Sequence, residues 1–213
     1  MNLEKLKSIH IGREKYINSS VAEKVFTFLY DFDKRMHLKS LLYSSGNQTA
    51  YSYNFEYDRF DLLPSDYLTK KFDHWGYYNG IDYDRDSNEI EGPLQEGVLV
   101  GGRYINHIRK SPRAARISDI NLSTMGMLKR ITYPTGGYTI INYEQNSCSK
   151  YMSDDKQSVI SLSEDLPVGG LRIKSIENYD NNVLISRKSY SYDYPDTHLS
   201  SGELYTIPNT HYE

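Results

Sequence analysis

Six histidines and one cysteine are the side chains of this 213-residue chain best suited to acid–base, metal or nucleophilic chemistry. Their spacing serves none of those uses. His10, His37, His74, His107, His198 and His211 fall in no His-Glu-x-x-His pair, and no Gly-x-Ser-x-Gly elbow occurs. Cys148, alone in the polar run QNSCSKYMSDD, rules out an intrachain disulfide and any multi-cysteine metal site. With no histidine or electropositive run beside it, it reads as an exposed, inert thiol. Paired carboxylates of the glycosidase kind depend on contacts between strands, which a sequence does not display.

Four further stretches can be tested against known chemistry. Asp82-Tyr83-Asp84-Arg85-Asp86-Ser87-Asn88 alternates oxygen ligands as a calcium loop does. It has Ser87 where an EF-hand needs glycine and Pro93 where it needs a bidentate glutamate, so it reads as a solvated loop. Gly97-Val98-Leu99-Val100-Gly101-Gly102 lacks both phosphate-binding glycine patterns and reads as a buried strand ending in a turn. Arg109, Lys110, Arg113 and Arg116 form the densest basic patch, beside the helix-start signal Ser111-Pro112, with no interleaved aromatic platform. A solvated helix face accounts for it. Within 72–80, FDHWGYYNG, the aromatics Trp75, Tyr77 and Tyr78 form the only ligand-surface candidates, since such rings can stack on sugars. The competing role is to pin the loop to a sheet, and the lack of a neighbouring polar constellation favours it. No cofactor is expected.

The elements that must position these residues are hairpins. GMLKRITYPTGGYTIINYE (126–144) reads as two strands around Pro134-Thr135-Gly136-Gly137, with Pro134 fixing φ and Gly136 taking positive φ. Its first strand, Leu128-Lys129-Arg130-Ile131, echoes Leu6-Lys7-Ser8-Ile9, Leu38-Lys39-Ser40-Leu41 and Ile173-Lys174-Ser175-Ile176. The expected partners are 25–32, 51–58, 138–144 and 186–194, several alternating aromatic and polar residues with the period of a half-buried strand. Turn residues stand between the two strands of the second copy, Ser45-Gly46-Asn47, and of the fourth, Asp180-Asn181-Asn182. A lone hairpin is marginal in water, so such units must add edge to edge or stack.

Composition agrees with sheet. Tyrosine occurs 21 times against one tryptophan, in a chain only 38% hydrophobic, which favours half-buried strand faces over a deep core. A net charge of −3 supplies no field for nucleic acid, and no apolar run is long enough for a membrane span. The chain is expected to be one β-rich repeat domain, 1–213, with an insertion at 59–125 and an exposed, protease-sensitive loop at 145–167 that has room for a short strand at Val159 to Leu162. Within the insertion, Asn121 to Met125, stopped by Gly126, is a possible helical turn beside the one at Ser111-Pro112.

The recurring L-K-S-I…Y-x-F-x-Y-D pattern resembles the YD-repeat, or RHS, proteins, which are very large bacterial surface or secreted chains. FDHWGYYNG (72–80), GMLKRITYPTGGYT (126–139) and VGGLRIKSIENYDNN (168–182), in that order, are similar to a version common in gut-dwelling Gram-negative bacteria. The resemblance implies long antiparallel sheets wrapping into shells or tubes, which in some members enclose a C-terminal toxin. Neither a toxin-like segment nor the family's self-cleaving junction is present, and the resemblance supplies no catalytic residue. The expectation is an all-β chain of antiparallel hairpins forming an extended twisted sheet or open half-shell, with one or two short helices in the insertion. Its expected role is a non-enzymatic scaffold segment, at the cell surface or secreted, with any export signal outside the chain. Its expected partners are neighbouring repeats of the same polypeptide, with weak self-association through edge strands. A carbohydrate-binding module using the aromatic surface is the alternative, and a toxin or hydrolase domain the least favoured reading.

Overall fold

Aromatic and β-branched residues placed at every second position build strands here, as the alternation predicts. The computed structural model describes residues 5–11, 24–32, 34–45, 50–82, 98–100, 103–105, 116, 118–153 and 155–205. Of the described residues 56% are strand and 5% helix, and the main sheet is mostly antiparallel, open and not closed into a barrel. The strands are β1 (Ser8–Ile11), β2 (Lys24–Asp31), β3 (His37–Ser45), β4 (Tyr51–Tyr57), β5 (Val98–Val100), β6 (Arg103–Ile105), β7 (Leu128–Thr132), β8 (Tyr138–Met152), β9 (Val159–Asp180), β10 (Val183–Ser189) and β11 (Glu203–Leu204). The main sheet runs β1-β2-β3-β4-β7-β8-β9-β10, with β11 added to β8, while β5 and β6 form a separate hairpin. Among the described residues no helix is long and apolar enough to cross a membrane.

Two compact units divide the chain. The first comprises Met1–Tyr67, Gly126–Asn142 and Ser175–Lys188; the second, Leu68–Met125, Tyr143–Lys174 and Ser189–Glu213. In the first, β1 pairs with β2, β2 with β3 and β3 with β4. Phe26, Tyr43 and Tyr51 are register partners across β2, β3 and β4, and their rings meet at 5.1 and 6.2 Å. Such cross-strand aromatic pairs are the unit of sheet stabilisation. They compensate for a thin core, since the buried apolar side chains described are Leu63, Cys148, Tyr151, Leu162 and Val168.

The insertion leaves the sheet after β4 and returns to β7, its neighbour. Asp58 closes the gap, its N–H donating to the Met127 carbonyl and its carbonyl accepting from Gly126 N–H. Gly126 stands at φ +80°, and a Cβ there would lie 2.7 Å from Leu63. A short 3₁₀ turn, Phe60–Leu62, thus delivers Leu63 into a space only glycine leaves open. Arg35 donates to the Pro64 and Asp66 carbonyls and Lys34 to that of Asp61, tying the departing chain to the β2–β3 turn.

The 134–137 turn forms as its residues require. Gly136 N–H donates to the Tyr133 carbonyl at 3.0 Å, Tyr133 N–H to that of Gly137 at 2.8 Å, and Gly136 adopts φ +91°. Asn181 and Asn182, both at positive φ, join β9 to β10. There Glu177 accepts from the Tyr179 hydroxyl and from Arg187, which together hold its carboxyl below the usual range.

Three expectations need correction. Residues 145–152 are strand, not exposed loop, and the short strand expected at Val159 to Leu162 is the start of a much longer one that also takes in 163–167; Ser153 N–H donates to the Ser158 carbonyl where the chain reverses between them. The polar side chains that made the stretch look like loop are used across the strands: Gln145 donates to the Val168 carbonyl, Asn146 to that of Gly169, and Ser147 to Asp165. Cys148 is 1% exposed, because the strand that carries it is covered. The fourth Tyr-rich strand ends at Ser189, short of 194, because the Tyr192 hydroxyl turns to the Ile173 carbonyl and the chain bends through 194–201.

The expected turn before Gly126 is α1 (Ile120–Ser123), its N-cap Asp119 accepting from Asn121 N–H. It starts one residue earlier and ends two residues earlier than read. The Ser111-Pro112 helix start and the Ser45-Gly46-Asn47 turn's last residues lie outside the described residues, as do 83–88 of the calcium-like loop. Val98–Val100 is a strand, as expected of the glycine-flanked run.

Candidate functional site

The aromatic stretch 72–80, in the second unit, is built around one buried acid. Asp73 has no solvent exposure. Its Oδ1 accepts from Trp75 N–H and Tyr77 N–H, each at 2.9 Å, and its Oδ2 accepts from the Ser118 hydroxyl at 2.5 Å. Asp73 N–H donates to the Tyr77 carbonyl, and Phe72 bridges to Tyr78, so the loop is a closed miniature hairpin. Gly76, at φ +88°, makes the reversal. Arg116 donates to the Asp73 carbonyl and stacks on Phe72 at 4.9 Å. A buried carboxylate is tolerable here because backbone and hydroxyl donors replace its water.

The three candidate aromatics have different fates. Trp75 lies on Gly169 of β9 so closely that a Cβ on Gly169 would stand 1.9 Å from Trp75 Cε3. Tyr77 approaches Gly170, which holds φ +91°, with 3.5 Å between Tyr77 Cε2 and the Cβ that Gly170 lacks. Tyr77 and Tyr78 are half-buried, while Trp75 keeps 39% of its surface in solvent. The Gly169-Gly170 pair is therefore a seat for the loop, which the sequence displayed only as a glycine doublet. Asp73 and Ser118 were equally hidden, since nothing in their spacing predicts that they meet.

A second polar cluster in this unit surrounds Arg172. Its Nε donates to Glu144 at 2.7 Å, its guanidinium stacks on Tyr192 at 4.5 Å, and its Nη1 reaches Ser200 Oγ at 3.5 Å. Cys148 sits nearby in β8. Burial first, and then the Asp165 carboxylate, push its thiol up to about 11, the opposite of what a nucleophile needs. Among the described residues no group of three or more His, Cys, Asp or Glu stands where it could hold a metal ion. Of the basic patch, only Arg116 lies among the described residues, and it serves the loop rather than an anion site.

The third sequence block thus meets the first block within the second unit and the middle block within the first unit. In the second, Trp75 of the first block packs on Gly169 of the third. In the first, Tyr138 of the middle block stacks on Tyr179 of the third at 4.9 Å and 10°, with Arg130 over Tyr138 at 3.8 Å. Comparison with protein-family models, curated proteins and solved structures found no match.

Proposed function

We propose that this chain is a structural segment of a large bacterial YD-repeat, RHS-like protein, at the cell surface or secreted, and builds part of a β-sheet shell or scaffold there. The observation that carries this reading is the mutual use of the motif residues. Trp75 meets Gly169, Tyr138 meets Tyr179, and Gly126 admits Leu63, so the residues that stand out in the sequence are spent on packing. The strands add edge to edge, as a repeat array requires. In this reading the chain has no catalytic residue or cofactor, and its partners are neighbouring repeats.

Carbohydrate binding is the second reading, favoured by the one aromatic that is both seated and exposed. Trp75 is backed by Gly169 and retains 39% exposure, while Tyr77 and Tyr78 have less surface to offer. An antibody against this chain, used on the source cells, separates the outcomes. The scaffold reading expects a band far above 24.7 kDa that external protease removes from intact cells. A protected intracellular band would refute it. Glycan-array binding abolished by Trp75→Ala, with melting unchanged, would favour the second reading.

A further inference from the structure

β8 outruns the strand beside it. Its pairing with β7 covers Tyr138 to Ile140, and the five residues of β7 cannot follow it to Met152. The edge at 147–151 is filled instead by 200–204, which returns as the two-residue parallel strand β11, with Glu203 opposite Lys150 and Leu204 opposite Tyr151. Parallel pairing by so short a strand is weak in itself, so side chains must select it.

Four positions do so. Ser200 has no exposure: its N–H donates to Asp165 at 2.7 Å, its hydroxyl to the Ser147 carbonyl at 2.8 Å, and its carbonyl accepts from the Ser149 hydroxyl at 2.6 Å. Gly202 accepts from Ser149 N–H and lies so close that a Cβ would stand 2.2 Å from the Ser147 carbonyl oxygen. Glu203 pairs with Lys150 at 3.3 Å and accepts from the Tyr194 hydroxyl. Leu204 packs on the small apolar cluster of Tyr151 and Leu162. Position 201, by contrast, is exposed, and its N–H and hydroxyl both donate to the Tyr192 carbonyl rather than to β8.

We propose that the 147–151 edge of β8 is a strand-addition site for Ser-x-Gly-acidic-apolar segments, filled in cis by 200–204 as a strap that detaches without unfolding the sheet. Main-chain pairing supplies the affinity in such sites, and the pockets for alternate side chains supply the specificity. The strap is short and rests on a thin core, the kind of segment that opens locally. This inference stands apart from the scaffold reading, because it concerns only contacts within the second unit.

Hydrogen exchange on the full chain tests it. The Ser149 and Ser200 amides are expected to exchange faster than the β3 amides, with little dependence on denaturant. Gly202→Val should raise Ser149 exchange roughly tenfold or more while β3 stays protected. Glu203→Lys, a change at a solvent-facing carboxylate, should raise it less. Adding the peptide Ser-Ser-Gly-Glu-Leu-Tyr to the Gly202→Val protein should restore protection at Ser149, and Ser-Ser-Val-Glu-Leu-Tyr should not. The proposal is overturned if Ser149 exchanges only with global unfolding, if both variants leave its rate unchanged, or if the glycine peptide gives no protection.

Discussion

Gly169 shows how one absent side chain can fix a site. Its Cβ would enter the Trp75 ring, so Gly169→Ala must lift the tryptophan or shift β9, at a cost of about 1–3 kcal/mol. Because Trp75 is the chain's one tryptophan, its emission should move to longer wavelength in the same variant. Unchanged emission and melting would show that the ring does not rest there. Asp73 gives a second residue-level expectation. Asp73→Ala leaves the Trp75 and Tyr77 amides without their acceptor and should cost about 2–4 kcal/mol by thermal melting. Asp73→Asn keeps one acceptor oxygen and should lose less. Cys148 adds a pH dependence. Its folded pKa, near 11, exceeds the ordinary 9.0, so above pH 9 the unfolded thiol ionises while the folded one does not. Stability relative to Cys148→Ala should therefore be constant below that range and fall between pH 9 and about 11. A flat difference across that window would contradict the buried, neutral thiol. The sequence exposed the aromatics of this site, because Trp and Tyr are conspicuous in a polar loop. It hid Asp73, Ser118 and Gly169, because their roles exist only once distant segments touch.

Hairpins were legible as elements because both their strands and their turns carry local chemistry. Gly136 has open space around its missing Cβ, so the whole cost of Gly136→Val lies in holding φ at +91°. That should exceed ~1 kcal/mol in melting or denaturant titration, and Gly136→Asn should lose less, since asparagine tolerates left-handed backbone better. A Gly136→Val protein as stable as the parent would contradict the turn. What local chemistry could not reveal was the length of β8 and β9. Serine, asparagine and aspartate favour loops when their side chains bond to nearby backbone. In 145–167 they bond across strands instead, and the strap at 200–204 adds further partners. The same tertiary contacts ended the fourth Tyr-rich strand early, when Tyr192 found the Ile173 carbonyl and Arg172 stacked on its ring.

Among the described residues the order of the main sheet ends at β1 on one side and at β10 on the other. All seven residues of β10 are exposed, including Val183, Leu184 and Ile185, which is costly to leave in water unless another strand covers them. Lys188 and Arg187 on β10, and Lys5 and Lys7 before β1, give these edges partial charge protection of the kind natural edges use. At the C-terminal side the chain keeps more of itself in order than its polar composition suggested, because 190–205 folds back onto β8 instead of trailing. Among the described residues no further strand pairs with the outer edge of β10. If the chain is a segment of a continuing array, that edge is where the next strand belongs, and isolated copies should use one another as substitutes. Sedimentation velocity from micromolar to millimolar concentration measures this most directly. The scaffold account predicts a mass average that rises with concentration for the native chain and stays monomeric for Ile185→Lys. A native chain that remains strictly monomeric at millimolar concentration would contradict it.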